Sequence, residues 1–292
     1  QLLLSRFQGL LMRISAPIAF FSCLAPLTWI KLVVYSLLCI NFVFYFRDDW
    51  VIAGHTLHAG STFLQWASAY NTTIDESAWL LLLLLLEMET YLLAGRDLSR
   101  AYEIISLIIR LCCYVVLAHT PYAYAMTVYD LSQAPIIEGV TDLCQLAGQN
   151  LSYAHNLVYT KITDGNCSEL STARQFFFND PPDNLIVQDE MALALERRSA
   201  LVDLVESITW LLILLSIEVV VWLQDKDITG GLLIKSANMA KVLLYSLLWF
   251  AIGYWIYLGH YMFAWDEFVW IVGFVAIEMN VVERRKDVKE PV

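Results

Sequence analysis

Three glutamates stand at matching places in long apolar runs, and a carboxylate in such a run has a restricted chemistry. Glu76-Ser77-Ala78-Trp79 is followed by seven apolar residues and then Glu87-Met88, and Glu267-Phe268-Val269-Trp270 by seven more and then Glu278-Met279. Between them, Glu206-Ser207-Ile208-Thr209-Trp210 leads to Glu218, again eight residues after the tryptophan. Tryptophan favours the membrane–water boundary, and eight helical residues descend about 12 Å. Glu87, Glu218 and Glu278 are therefore expected near the middle of a bilayer, where an ionised side chain costs on the order of 2.5–3.5 kcal/mol. Acids at that depth carry protons or bind cations stripped of water. Arg110 lies ten residues beyond Arg100 and reaches the same level, and Asn41 adds an amide. One guanidinium balances at most two of three carboxylates. Glu87, Glu218, Glu278, Arg110 and Asn41 thus make up the expected intramembrane polar cluster, with a purely structural Arg–Glu network as the competing reading.

Histidine supplies a weaker constellation. His55 and His58 are one helical turn apart, a spacing compatible with zinc or copper when further ligands converge, and His119 and His260 end two other apolar runs on the same side of the membrane. Cys144 and Cys167 share the one long polar segment and are the disulfide candidates. No phosphate-cradling glycine loop, G-x-S-x-G, C-x-x-C or H-E-x-x-H occurs, so no catalytic residue is assigned and an enzyme is the less favoured class.

These residues must be positioned by membrane helices. The chain is 59% hydrophobic and 16% charged, against the 45–50% or so of apolar residues in soluble domains, which makes it an all-α polytopic membrane protein. Six spans are expected at roughly 27–46, 76–95, 102–126, 200–223, 240–262 and 266–283, each near the ~20 residues that cross a ~30 Å core. Residues 1–26 read as a cytoplasmic or interfacial amphipathic lead, and 284–292 as a basic cytoplasmic tail. Arginine and lysine gather in the short loops between spans two and three, between spans four and five, and after span six, so both termini are expected to be cytoplasmic. The segment 127–199 then forms an acidic cap outside, with 185–199 read as a helical extension running straight into span four.

Repetition organises the spans further. Lys31-Leu32-Val33-Val34-Tyr35-Ser36 opens span one and Lys241-Val242-Leu243-Leu244-Tyr245-Ser246 opens span five, each ahead of a glutamate–tryptophan phrase in the next span. The expected architecture is three tandem, parallel-oriented hairpins related by a pseudo-threefold axis: hairpin one at 27–95, a second from the span at 96–126 and the span at 200–223, and hairpin three at 240–283.

The functional expectation is a transport protein, a channel or secondary transporter for protons or small cations, in the plasma membrane (the inner membrane if the source is bacterial). The alternative is a non-catalytic accessory or scaffold subunit of a larger membrane complex, and a third reading is a metal-site protein using zinc or copper at its outer face; the expected partners are the lipid bilayer and either further copies of the chain or a larger membrane complex. A net charge of −11 excludes nucleic acid as a partner.

Overall fold

The computed structural model describes residues 26–88, 99–180, 183–225 and 231–289. The fold is mostly helical (74%). Its long helices are α1 (Pro26–Thr56), α3 (Asn71–Glu87), α4 (Arg100–Ser132), α6 (Glu190–Asp225), α7 (Leu232–Leu258) and α8 (Tyr261–Lys289). Four stretches within them are long and apolar enough to cross a membrane: Trp29–Thr56, Arg100–Ser132, Glu190–Val220 and Lys235–Leu258. They carry bare apolar side chains such as Val43, Leu107, Val115 and Phe250 on their outer surfaces, as lipid-facing helices do. The other two expected spans fall short for identifiable reasons. The described part of α3 has 17 residues, the lower limit for a crossing, with 89–95 outside the described residues. The apolar run of α8 is interrupted by Asp266, Glu267 and Glu278.

Local sequence sets the helix ends. Ser99 opens α4, its hydroxyl accepting from the Tyr102 N–H, and Thr62 and Gln65 form a reciprocal capping box on the short α2 (Phe63–Ala69). Gly259 ends α7 at φ +83°, a left-handed position that a glycine fills without penalty.

An all-α chain requires correction, because a four-stranded sheet is present. Strands β1 (Ser152–His155), β2 (Val158–Lys161), β3 (Phe176–Phe178) and β4 (Ile186–Asp189) lie in the order β2-β1-β4-β3, with β1 and β4 parallel and the outer pairs antiparallel. Asn156 and Leu157 both have positive φ, the backbone of a tight hairpin turn between β1 and β2. One face of the sheet packs Tyr153, Phe176 and Val187 over Leu143, Leu146, Leu151, Ile162 and Cys167. A disulfide joins Cys144, in the 3₁₀ turn Leu143–Leu146, to Cys167 at the start of α5 (Cys167–Leu170). The expected helical extension from 185 is also corrected: 186–189 are strand, and the helix starts only at Glu190. Asp189 makes the switch, since its Oδ1 accepts the Ala192 N–H at 2.8 Å as a cap while its Oδ2 accepts the Tyr153 hydroxyl at 2.8 Å.

Two compact units divide the described chain. The smaller comprises 26–41 and 265–289. In it Asn41 donates to Asp266 at 2.6 Å, while a Cβ on Gly273 would lie 3.2 Å from Val34 Cγ1, so the two helical segments run antiparallel. Lys31 is buried there. The larger unit, 42–264, holds the sheet and the packed series α3, α4, α6 and α7, in which α6 also lies against the sheet.

Candidate functional site

Strand alternation defines a second face of the sheet, turned away from the cap core. With Tyr153 and Val187 in that core, Ser152 and Ala154 of β1 and Ile186 and Gln188 of β4 point to the other side, joined through the ladder by Tyr159 and Phe177. The centre of this face is buried and sets Ser152 and Gln188 among apolar neighbours such as Ala154 and Ile186. Gln188 is 0% exposed, and its Nε2 lies 3.5 Å from Glu196 Oε2 on α6. His55 from α1 meets Ser152 Oγ at 2.9 Å through Nδ1, its ring 5.9 Å from that of Tyr159. Burial, with the carboxylates of Glu196, Asp180 and Asp48 nearby, holds the Tyr159 phenol well above its ordinary range.

Below the sheet, α6 carries the polarity down. Glu196, Ser199, Asp203 and Glu206 are spaced three, four and three residues apart and so share one face over about 15 Å. Glu196 faces Gln188 of β4, and the other three face groups of neighbouring helices. Ser199 Oγ is 3.1 Å from the Tyr254 hydroxyl, and the buried Glu206 (8% exposed) receives the Trp255 indole N–H at 2.9 and 3.1 Å on its two oxygens. The Tyr124 hydroxyl of α4 lies within electrostatic reach of Asp203, Asp75, Glu206 and Asp49. Asp49 accepts both the backbone N–H (2.8 Å) and hydroxyl (2.7 Å) of Thr73, and Asp75 accepts the Thr120 hydroxyl. Five helices, α1, α3, α4, α6 and α7, therefore contribute carboxylates or their donors to one layer inside the larger unit. The same face of α6 then turns apolar at Trp210, whose ring sits edge-on to Trp79 at 6.2 Å, and at Ile213, which is fully buried.

The glutamates singled out by spacing fare differently. Glu87 is half-buried. Glu218 is exposed and accepts the Tyr114 hydroxyl at 3.1 Å, with Arg110, half-buried, within electrostatic reach of that same hydroxyl. Glu278 lies on α8 in the smaller unit, its side chain outside the described residues. Asn41, expected to need a partner, has Asp266. It is the first acid of each phrase that is buried, Glu76 and Glu206, with Asp266 taking that place in the third. Helical rotation explains the difference on α6. Twelve residues from Glu206 to Glu218 turn the side chain by about 120°, off the inward face.

The histidines have separate partners. His55 is engaged by Ser152, and His58 accepts the Gly60 N–H on Nδ1 while its Nε2 faces Asp183 at 3.4 Å. His260 meets Asn156 Oδ1 at 3.0 Å, and His119 is exposed beside Tyr122. Among the described residues, no three or more His, Cys, Asp or Glu side chains converge in a way that could hold a metal ion.

No protein-family model, curated protein or solved structure matches the chain. The site therefore rests on its own geometry. Gln188, Asp203, Tyr124 and Tyr159 were not picked out by sequence reasoning, although the spacing 196, 199, 203, 206 is a legible polar stripe on an otherwise apolar helix.

Proposed function

We propose that the protein carries protons or small cations across a membrane, with the polar face of α6 as the half-path that opens beneath the sheet. The observation that supports this is the inward direction of that face. A membrane helix that turns Glu196, Ser199, Asp203 and Glu206 toward its neighbours keeps acids where they load and release a positive charge, and intramembrane acids are the usual carriers of such charge. Trp79, Trp210 and Ile213 close the path at its lower end, as a carrier that alternates between two sides requires. Beyond that floor, Glu218 with Tyr114 and Arg110, and then Glu87, continue the chain of acids.

The finer architecture belongs to the same proposal. Six spans with both termini cytoplasmic put the sheet and its disulfide outside, in a plasma membrane that is the inner membrane in a bacterium. Three tandem hairpins sharing the glutamate–tryptophan phrase supply the repeated acids.

Flux into liposomes tests the reading. Purified protein should acidify or load vesicles under a proton or alkali-cation gradient, and Asp203→Asn should reduce the initial rate at least about tenfold through loss of one carrier group. Vesicles with wild-type protein that move neither protons nor alkali cations rule the proposal out. A scaffold reading has one observation in its favour, the exposed Phe63 and Leu64 of α2, which offer an apolar surface beside the membrane helices. Native mass spectrometry in mild detergent that returns only the lone chain or its homo-oligomer removes it.

A further inference from the structure

The short helix α2 is amphipathic, and its two sides meet different surroundings. At about 100° per residue, Phe63, Trp66, Ala67 and Tyr70 fall on one side with Leu64 at its edge, and Gln65 and Ser68 fall on the other. The cap holds the polar side. Gln65 Nε2 donates to Asp183 Oδ2, and His58, just ahead of the helix, turns its Nε2 to Asp183 Oδ1 at 3.4 Å. The apolar side is bare: Phe63 is 84% and Leu64 73% exposed, and the exposed Trp66 ring stacks on Tyr70 at 6.2 Å. That side continues onto α1. Tyr70 meets Phe46 at 6.2 Å and Phe46 meets Trp50 at 6.4 Å, and both α1 rings are exposed along with Val43, on the outer surface of a stretch long and apolar enough to cross a membrane.

We propose that α2 is seated in the headgroup region of the bilayer, so that the partner of its apolar side is glycerophospholipid and the helix is a strut between the lipid surface and the sheet. Three observations single out lipid. Residues 32–46 of α1 carry no charge, and the exposed Arg47 and Asp48 end that run, so Phe46 stands at the edge of the hydrocarbon and Tyr70 stands beside it. Seven helical residues cover about 10 Å, which keeps Phe63 and Leu64 within side-chain reach of the headgroups. The rings are of the kinds that layer favours, apolar bodies with the polar tips of Trp66 and Tyr70 among them. A protein docked on the same arc would need about 800 Å² and about 20–30 residues from each side, which a helix of two turns does not supply. The neighbouring charges, Asp48 and Asp183 against Arg47, form no basic cluster, so zwitterionic headgroups suffice. Seating of α2 depends on the membrane helices and not on what crosses them.

Site-directed photo-crosslinking tests the assignment. Phe63→benzoylphenylalanine is made in the full chain, irradiated in membranes of the expressing cell, and its adducts are read by mass spectrometry. Position 63 is exposed, so the label displaces no packed side chain, and Leu64→benzoylphenylalanine is the second probe should the first variant fail to fold. Val43→benzoylphenylalanine on the lipid-facing surface of α1 and Val158→benzoylphenylalanine on the exposed β2 are the references. Phospholipid adducts from position 63 or 64 should come within about threefold of the yield at 43 and exceed that at 158 by about tenfold or more. A yield no higher than at 158 overturns the seating and puts α2 in water. Adducts with another protein or with a second copy of the chain, in place of lipid, overturn it as well and favour the scaffold reading. Flux in liposomes is a separate measurement, so lipid adducts without flux retire the transport reading and keep the seating of α2, whereas flux without lipid adducts does the reverse.

Discussion

The pairing of Trp255 with Glu206 provides the sharpest test of the buried polar layer. Trp255 is 1% exposed, and its indole N–H is shared between both oxygens of a carboxylate that is itself buried. Trp255→Phe keeps an aromatic ring but deletes that donor. A hydrogen bond to a charged group contributes about 1.5–3 kcal/mol, and the smaller ring forfeits about 1–2 kcal/mol of apolar burial, so the substitution should destabilise the larger unit by about 2.5–5 kcal/mol. Much of this is packing, so the single variant alone does not isolate the interaction. In a Glu206→Gln background the indole meets a neutral amide, worth about 0.5–1.5 kcal/mol, while the packing loss is unchanged. A double-mutant cycle should therefore return a coupling of about 1–2 kcal/mol, read by reversible unfolding in mixed micelles titrated with a denaturing detergent. A coupling smaller than about 0.3 kcal/mol refutes the reasoning, because it means that the indole does not distinguish a carboxylate from an amide at that position.

Three further outcomes are expected. Opening the Cys144–Cys167 bridge, which spans 23 residues, by Cys144→Ser/Cys167→Ser should cost the cap about 3.4 kcal/mol on the chain-entropy relation, seen as faster limited proteolysis within 140–170 with the membrane helices intact; equal rates for both proteins contradict it. Asp180 accepts the Leu185 and Ile186 N–H groups at 2.8 and 2.9 Å, yet burial pushes its pKa up to about 6, with Asp183 adding a like charge. Its folded pKa exceeds the unfolded 3.8, so its contribution is fully present below about pH 3.8 and lost as pH rises through about 6; hydrogen-exchange protection factors around β4, which remove the intrinsic pH dependence of amide exchange, should fall over that interval in the wild type and stay level in Asp180→Asn. Gly259→Ala forces an L side chain to φ +83° and should cost about 1 kcal/mol in the same unfolding assay, and a neutral result removes the left-handed cap from the account of how α7 ends.

Sequence reading recovered what depends on composition and missed what depends on three-dimensional pairing. Apolar runs of adequate length locate α1, α4, α6 and α7, because a bilayer imposes the same requirement on every residue of a span. The sheet escaped because its strands are three or four residues long and its central pair, β1 and β4, is brought together across more than thirty residues by contacts that no local periodicity records. At 186–189 the run Ile186-Val187-Gln188-Asp189 carries no apolar–polar alternation to set it apart from the helical pattern that follows, although Asp189 ahead of Ala192 is a cap signal that marks the boundary. The glutamate phrase drew attention to the acid after each tryptophan. Burial favours the acid before it, since Glu76 and Glu206 lie within a turn of Trp79 and Trp210, while Glu218 has rotated outward. The inward stripe on α6 was readable in principle as polar residues at helical spacing.

The strand order has a consequence for how the chain is made. Residues 143–167 are synthesised first and can fold as a closed loop, with the hairpin of β1 and β2 and the disulfide complete among themselves. Only β4 joins that half to β3, since it sits between β1 and β3, and it passes without a linker into α6. The keystone strand thus leaves the ribosome immediately ahead of a helix bound for the lipid. Its pairing with β1 ends at Val187, three residues before α6 starts at Glu190, so closing the cap fixes where that helix begins, and a substitution that weakens β4 should surface as a mispositioned α6.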